Sequence, residues 1–472
     1  MSDVTRSVLY LQKLEGRKES NNRYPLQNFL KGYWMPKHGD PNPKHRPTPD
    51  DIIACSSDYL GLTMDPRIAA AKIHYFEGLV DHPESAPRTS YIYSRADDED
   101  TAHPLRKMER AYAEFMGAED AVYFSSGVSA NMAAMDILCG GKESNIPIYI
   151  DQHAHNSLYK GLSAAGVDEK RLKQLGGYIR FKHNDVEDLK KKMDKHRGGF
   201  IIVDAIYSTN GDFAPLKEIR ALAEAQGDCI LVVDEAHSFG VYGKNGEGYG
   251  PQFLSGSAVP VLYTISLSKA VGQVGGMVLG PNAELDAISQ NSGMLIFSTI
   301  TLPEVIVGCQ AALEIIKSNP NLGKEVQACA KNVITGLQKA GFPVWSDGHI
   351  LSFPIDPPNT GHHQLDMVDQ YLRDAYRLFT SPFGPPAQAS PGARFSFSQA
   401  TVPYQSEIPQ IFDHLKNQPG IRIQDWQCLK RPDPRAVKVM GGPASITASA
   451  TPFCFCTTQK HLTVKISSIS MV

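Results

Sequence analysis

The feature that most constrains the fold of this chain is a continuous apolar run at residues 230–233. An apolar run of this length without polar interruption is typical of a strand that is buried on both faces. A second such run lies at residues 261–265. Because open α/β sheets bind ligands at the carboxyl ends of their strands, we expect the polar residues after both runs to converge. These residues are Asp234, His237, Ser266, Ser268 and Lys269.

Strand and helix patterns alternate through much of the chain. Strand-like runs occur at residues 121–124, 148–150 and 199–204, and segments with helical periodicity follow the first and the third. A long helix is predicted to begin near Pro303, and a later alternating segment predicts a strand that carries Arg394. Strands that alternate with helices require a mostly parallel sheet with right-handed crossovers. The predicted fold class is therefore α/β.

The length of 472 residues predicts more than one domain. We expect an N-terminal arm at residues 1–55 and a large domain with the mostly parallel sheet at residues 56–310. A smaller C-terminal α/β domain is expected at residues 311–424. Residues 425–472 form a tail rich in Ser, Thr and Pro, to which the sequence assigns no role.

The composition excludes several classes of partner. The net charge is −3 with acidic and basic residues interspersed, so there is no basic stripe for nucleic acid. Charges interrupt the N-terminal segment and no run of about 18 apolar residues occurs, so we expect neither a signal peptide nor a membrane span. The eight cysteines include no CxxC pair, which indicates reduced thiols and a cytoplasmic location. The expected partner is a small molecule.

The polar residues after the two apolar runs match the needs of one common cofactor. A lysine forms a Schiff base with an aldehyde, an aspartate holds a pyridinium nitrogen protonated, and hydroxyls bind a phosphate. Lys269, Asp234 and Ser266 therefore indicate pyridoxal phosphate. The Ser-Ser-Gly turn at residues 125–127 precedes a predicted helix, whose free N–H groups suit the cofactor phosphate.

Two histidines, His153 and His155, follow the strand predicted at residues 148–150. A His-x-His pair could form half of a metal site, but no third ligand nearby completes a recognisable set. We therefore expect no metal. The interpretation that we prefer is an imidazole that stacks on the pyridine ring.

Taken together, these segments resemble the α-oxoamine synthase family of fold-type I pyridoxal-phosphate enzymes, across about residues 50–420. Within that family they look most like the cholera autoinducer synthase branch, through the phrases PTPDDII, IYIDQHAHNSLYKG, IIVDAIYST, DEAHSFG and IFSTITLP. The resemblance implies the aminotransferase-like fold, with a large cofactor-binding domain and a smaller C-terminal domain. It also implies a homodimer.

The resemblance implies a catalytic role for four residues. Lys269 would be the Schiff-base lysine, and Asp234 would pair with the pyridinium nitrogen. His237 would hydrogen-bond the side of the ring that carries the hydroxyl, and His155 would stack on the ring.

The resemblance also implies binding roles. Arg394 would bind the amino-acid carboxylate, a task that suits a planar and permanently charged group. Thr299 would reach the phosphate of the neighbouring subunit, and Ser57 would face the substrate. The implied cofactor-binding set is Ser126, Gly127, Val128, His155, Ser208, Asp234, His237, Ser266, Lys269 and Thr299.

The implied reaction is the condensation of an amino acid with an acyl thioester, carried on CoA or a carrier protein. Carbon dioxide is lost and an α-aminoketone is formed. The residues alone are equally compatible with an aminotransferase or an amino-acid decarboxylase, because the same lysine and aspartate serve those reactions. An inactive regulatory subunit of the same fold is a further alternative, against which Lys269 argues.

The sequence departs from the family pattern in two places. Ser57 stands where the family often has Asn, and SYIYSRADDED replaces a Gly-rich segment. Both changes border the expected substrate site, so they affect the identity of the substrate more than the type of reaction.

Overall fold

The computed structural model describes nine segments of the chain: residues 51–82, 103–140, 146–167, 177–299, 301–342, 344, 346–355, 363–383 and 392–418. Most of the predicted N-terminal arm, the whole predicted tail and the segment SYIYSRADDED lie outside the described residues. The predicted domain boundaries stay predictions.

Twelve strands occur in the described residues. In chain order they are β1 (Ile52–Ile53), β2 (Asp120–Phe124), β3 (Ile148–Asp151), β4 (Tyr178–Phe181), β5 (Gly199–Asp204), β6 (Cys229–Asp234), β7 (Val261–Ser266), β8 (Gly276–Gly280), β9 (Ile350–Pro354), β10 (Leu378–Phe379), β11 (Ser381–Phe383) and β12 (Gly392–Ser396). The apolar runs at residues 230–233 and 261–265 are therefore strands, as predicted.

The helices lie between these strands. In chain order they are α1 (Pro66–Asp81), α2 (Pro104–Met116), α3 (Gly127–Cys139), α4 (Asn156–Ala164), α5 (Val186–Met193), α6 (Leu216–Gln226), α7 (Pro251–Leu254), α8 (Asn282–Asn291), α9 (Gly293–Ile296), α10 (Pro303–Ser318), α11 (Asn321–Lys339), α12 (His363–Tyr376) and α13 (Glu407–Leu415). Helix α10 begins at the predicted Pro303, which suits the first helical position because its missing N–H would have no partner there.

The largest sheet has seven strands in the order β2-β8-β7-β6-β5-β3-β4. The neighbours from β7 through β6, β5 and β3 to β4 run parallel, whereas β8 is antiparallel to both β7 and β2. The mostly parallel α/β fold predicted from the sequence is confirmed. Strand β6, which carries the first apolar run, lies at the centre of the sheet.

Strand β6 is continuously apolar because both faces of the sheet are covered. Leu231 and Val233 belong to one buried cluster, which includes Met108 on α2 and Ile219 on α6. Val232 belongs to a second cluster on the opposite face, with side chains of α3 and α4. Side chains alternate between the faces of a strand, so only a strand between two helical layers needs apolar residues at every position.

Two smaller sheets contain the strands of the C-terminal part of the described chain, and one of them also contains β1. Strand β12 pairs antiparallel with both β11 and β9, and this register places Arg394 opposite Ser381 on one side and Ser352 on the other. Strand β1 pairs in parallel with β10. Arg394 thus lies on a strand, as the alternating pattern predicted, and this strand is the central one of its three-stranded sheet.

Within the described residues, no helix combines the length and the apolar character needed to cross a membrane. All five cysteines in this part of the chain are buried, and Cys139, Cys229, Cys309 and Cys329 are free thiols. No group of three or more metal-ligating side chains occurs among the same residues.

A buried charge network lies beside the carboxyl ends of β3 and β4. His183 Nδ1 is 2.9 Å from Asp151 Oδ1, and its Nε2 is 3.3 Å from Asp212 Oδ2. The ring of His153 stacks on that of His183 with the centroids 4.1 Å apart. Burial opposes a charge on His183, but the two carboxylates outweigh this effect and raise its pKa to about 9. His153 therefore belongs to this network.

This network predicts a pH dependence of stability. The pKa of His183 is about 9 in the folded chain, whereas an unfolded histidine has a pKa of about 6.5. The stabilising contribution of the charged imidazole is therefore complete below about pH 6.5 and is lost as the pH rises through about 9. We expect His183→Gln to lower the free energy of unfolding by about 2–3 kcal/mol more at pH 6 than at pH 9.

Urea unfolding of the wild type and the variant at several pH values tests this expectation. Other groups that titrate in the same range are common to both proteins and cancel in the difference. A difference in unfolding free energy that stays constant across the range would contradict the charged state of His183.

Candidate active site

Three neighbouring strands deliver polar residues to one edge of the large sheet. Asp204 ends β5, Asp234 ends β6 and Ser266 ends β7, and the register pairs Asp204 with Asp234 and Asp234 with Thr264. Lys269 follows in the turn after β7, where its N–H approaches the Ser266 carbonyl at 3.4 Å. The parallel register thus brings two carboxyl groups and an amine to the same edge of the sheet, at the carboxyl ends of the strands.

Lys269 is the end of a hydrogen-bonded chain of three side chains. Its Nζ lies 3.0 Å from His237 Nε2. The other ring nitrogen of His237, Nδ1, lies 2.6 Å from the hydroxyl of Tyr59. Burial lowers the pKa of Lys269 to about 8, although the nearby charge of Asp234 acts in the opposite direction. Burial and the charges of Lys269 and Arg394 hold the pKa of His237 far below its usual range, so His237 is neutral.

A second network joins Asp234 to His155. Asn131 Nδ2 donates to Asp234 Oδ2 at 2.7 Å and to Ser157 Oγ at 2.9 Å. Ser157 Oγ lies 2.6 Å from His155 Nδ1, and Ser157 N–H donates to the same nitrogen as the cap of helix α4. A neutral imidazole that accepts at Nδ1 carries its proton on Nε2. The helix start thereby fixes the orientation of the ring.

Asp204 supports this arrangement from the neighbouring strand. It accepts the backbone N–H of His155 at 3.1 Å. Burial, and secondly the negative charge of Asp234, raise the pKa of Asp204 well above its usual range. The raised pKa favours the protonated form of Asp204, which weakens the repulsion between the two neighbouring carboxyl groups.

The turn before helix α3 packs directly against the strands that follow. A Cβ on Gly127 would lie 2.8 Å from the Cβ of Ser266, and one on Gly276 would lie 2.5 Å from the Cα of Gly127. Only glycine fits at these two positions. Ser126 caps the helix by accepting the Ser129 N–H at 3.0 Å. The first N–H groups of a helix lack partners within it, so this turn offers an anion site next to Ser266.

Arg394 reaches the same region from the three-stranded sheet β11-β12-β9. Its positive charge lowers the pKa values of both Lys269 and His237, which indicates that it lies near them. Its Nε and Nη2 atoms are buried and have no hydrogen-bond partner among the described residues. Buried charged donors are expensive to leave unpaired, so this geometry favours an anionic ligand at Arg394.

Other predicted site residues lie around this centre. Ser208 is half-buried in the turn after β5, Ser57 is half-buried two residues before Tyr59, and Val128 is exposed in the first turn of α3. Thr299 is exposed and lines an apolar pocket of about 290 Å³. In the described part of the chain, no hydrogen bond joins Thr299 to Lys269.

The sequence analysis missed four residues of the site. Asn131 and Ser157 link Asp234 to His155 through hydrogen bonds. The only sequence signal for this link was the polar Asn131 within the Ala-rich segment SANMAAMD. Tyr59 and Asp204 reach the site through packing that no local pattern indicated.

Comparison with known proteins gives a consistent result. Residues 100–405 match the family model described as aminotransferase class I and II. The CAI-1 autoinducer synthase of Vibrio campbellii is 31% identical over 356 residues, which cover 73% of this chain and 85% of that protein. A putative 8-amino-7-oxononanoate synthase of Microcystis aeruginosa is 30% identical, with 73% and 83% covered. The chain belongs to the α-oxoamine synthase family.

A solved structure supports the same assignment. A serine palmitoyltransferase from S. paucimobilis, with pyridoxal phosphate and myriocin bound, superposes with a TM-score of 0.66 at 26% identity. The match covers 78% of this chain and 87% of that one. This α-oxoamine synthase family member is thus a pyridoxal-phosphate enzyme, an acyltransferase that forms carbon–carbon bonds.

The side chains of this α-oxoamine synthase fit pyridoxal phosphate. The amine of Lys269 suits the aldehyde, and the carboxylate of Asp234 suits the pyridinium nitrogen. The helix start at Gly127 suits the phosphate, and the flat, fixed ring of His155 suits the face of the pyridine. Each required group therefore has a matching donor or acceptor in the part of the chain that the structure describes.

Proposed function

We propose that this enzyme condenses an α-amino acid with an acyl thioester, releases the thiol and carbon dioxide, and forms an α-aminoketone. The observation that carries the proposal is Lys269, a buried amine of lowered pKa beside Asp234, His237 and Arg394. Pyridoxal phosphate, when bound, supplies the electron sink for the bonds broken at Cα. We assign the remaining work to side chains of this protein.

We assign proton transfer at Cα to Lys269 Nζ. A pKa of about 8 leaves a useful fraction of the amine uncharged near neutral pH, so it can accept a proton from a weak carbon acid. His237 Nε2, 3.0 Å from Nζ, orients the amine. We assign to Asp234 the task of holding the proton on the pyridine nitrogen, with Asn131 fixing the carboxylate at 2.7 Å.

We assign recognition of the substrate carboxylate to Arg394. Its unpartnered Nε and Nη2 match the two oxygens of a carboxylate. We assign to His155 the stacking contact with the pyridine ring, because its cap of helix α4 prevents the imidazole from rotating.

Mass spectrometry of products tests the reaction. The purified enzyme, loaded with pyridoxal phosphate, is incubated with a panel of amino acids and acyl-CoA thioesters. The expected products are free CoA and, in equal amount, a new aminoketone. The mass of the aminoketone should equal that of the amino acid plus the acyl-CoA, minus those of CoA and carbon dioxide. Oxo acid without free CoA would instead indicate an aminotransferase, and a simple amine without free CoA would indicate a decarboxylase.

We also propose that the enzyme is a homodimer with Thr299 directed to the site of the partner subunit. Phe297, two residues earlier, is 89% exposed, and Met294 and Leu302, which are close to it in sequence, are also exposed apolar side chains. Such an apolar surface is typical of an interface. Two-fold dimers are the most common assembly of soluble proteins.

The dimer is expected to disappear when this surface is made polar. Phe297→Asp should shift sedimentation to the monomer and reduce cofactor affinity, because Thr299 would no longer reach a partner. Val80→Asp, at another exposed apolar position on α1, serves as the control that tests whether any added charge has this effect. A wild-type protein that sediments as an active monomer would contradict the dimer.

We further propose that the enzyme works in the cytoplasm. Four of the described cysteines, Cys139, Cys229, Cys309 and Cys329, are free thiols, which supports a reducing compartment.

A further inference from the structure

His349 lies immediately before strand β9 and is completely buried. Its backbone N–H donates to the Tyr242 hydroxyl at 3.0 Å, and its carbonyl accepts the Phe397 N–H at 2.8 Å. The ring of Tyr59 meets the imidazole edge-on, with the centroids 4.3 Å apart. Three neighbours therefore fix the direction in which His349 points.

The contact with Tyr242 decides which ring nitrogen of His349 carries the proton. The Tyr242 hydroxyl lies 3.3 Å from His349 Nδ1. Burial raises the pKa of Tyr242, so the hydroxyl keeps its proton. Among the described residues this hydroxyl has no other acceptor, so it donates to Nδ1. A neutral imidazole that accepts at Nδ1 carries its hydrogen on Nε2.

The Nε2–H of His349 has no acceptor in the part of the chain that the structure describes. Burial, together with the charges of Arg394 and Lys269, lowers the pKa of His349 to about 3, so the ring is neutral. Arg394 adds two more buried donors in the same state, Nε and Nη2. Unsatisfied buried donors are costly. The charge of Arg394 acts on His349, which indicates that the two residues lie close together, so their three unsatisfied donors point to a shared acceptor.

We propose that His349 Nε2–H donates to the carboxylate of the amino-acid substrate beside the guanidinium of Arg394, and this inference rests on the proposed function. A neutral donor adds a directional hydrogen bond without placing a second positive charge beside Arg394. His349 is then a specificity-determining residue, which favours α-amino acids over amines that lack a carboxylate.

Three substitutions separate this role from packing. His349→Phe keeps a ring against Tyr59 but removes the donor. His349→Gln places an amide N–H near the position of Nε2, whereas the amide of His349→Asn reaches only as far as Nδ1. The wild type and the variants, each loaded with pyridoxal phosphate, are titrated with glycine, L-alanine and L-serine. The matched ligands without a carboxylate are methylamine, ethylamine and ethanolamine, and the absorbance of the bound cofactor reports binding.

The Phe and Asn variants should bind the amino acids about 10- to 100-fold more weakly, the scale of a hydrogen bond to a charged group. Their affinity for the three amines should stay unchanged, and the Gln variant should recover affinity for the amino acids. If His349→Phe does not bind the cofactor, the comparison of Gln with Asn carries the test.

Two results would overturn the inference alone. One is wild-type affinity for amino acids in the Phe and Asn variants. The other is an equal loss of affinity for amino acids and amines, which a purely structural role would produce. A wild-type enzyme that binds none of the amino acids would instead overturn the proposed function and this inference together.

Discussion

Replacing Lys269 with alanine is expected to abolish turnover and to leave the fold intact. The substitution removes the amine to which we assign both cofactor attachment and proton transfer, so we expect a loss of about 10³-fold or more in kcat. Lys269 lies in the turn after β7, where the residue as a whole is half-buried although its amine is enclosed by the site. Truncating it therefore opens no cavity in the apolar core. Steady-state kinetics and thermal unfolding measure the two expectations.

The control for this variant is Lys244→Ala, an exposed lysine in the loop after Tyr242. It should keep wild-type activity. Borohydride should fix the cofactor covalently to the wild type and to the control but not to Lys269→Ala. Near-normal turnover in Lys269→Ala would refute the whole assignment of the site, including the roles given to His237 and Asp234.

Replacing Arg394 with alanine is expected to separate substrate binding from cofactor binding. The variant should bind pyridoxal phosphate and keep its absorbance band, because Lys269, Asp234 and the turn at Gly127 are unchanged. Affinity for amino acids should fall by about 2–3 kcal/mol, the scale of a lost charge-assisted pair. Titration of the variant with amino acids, followed by cofactor absorbance, measures the loss.

Two further substitutions sharpen this test. Arg394→Lys keeps the charge but loses the planar pair of donors, so its affinity should lie between those of the wild type and the alanine variant. Arg373→Ala removes an arginine that pairs with Asp369 within helix α12, and it should leave amino-acid affinity unchanged. Wild-type affinity in Arg394→Ala would mean that the carboxylate is bound elsewhere.

The resemblance and the strand pattern predicted the centre of the site for a physical reason. An apolar run at residues 230–233 has to be buried on both faces, and the polar residue after it has to lie at the edge of the sheet. Two such strands in parallel place Asp234 and Lys269 on the same side without any knowledge of the intervening chain. The helix start at Gly127 could be predicted because glycine and serine before an apolar helical segment are local signals of a helix N-terminus.

The residues that hold these groups in place could not be predicted from the sequence in the same way. Asn131 bonds Asp234 across 103 positions of sequence, and Tyr59 bonds His237 across 178. Nothing in the local sequence of either partner requires the other. His153 and His155 illustrate the same limit, since two identical side chains two residues apart enter different networks.

The sequence by itself determined the class of fold and the family of the enzyme, and it predicted the strand ends to which we assign the chemistry, because these follow from local periodicity and short motifs. Only the tertiary structure decided the order of strands in the sheets, the protonation of Lys269 and His183, and the unpaired donors of Arg394 and His349. These properties depend on burial and on the distance to charges from remote segments. Both quantities arise only when the helices and the smaller sheet pack against the strand ends.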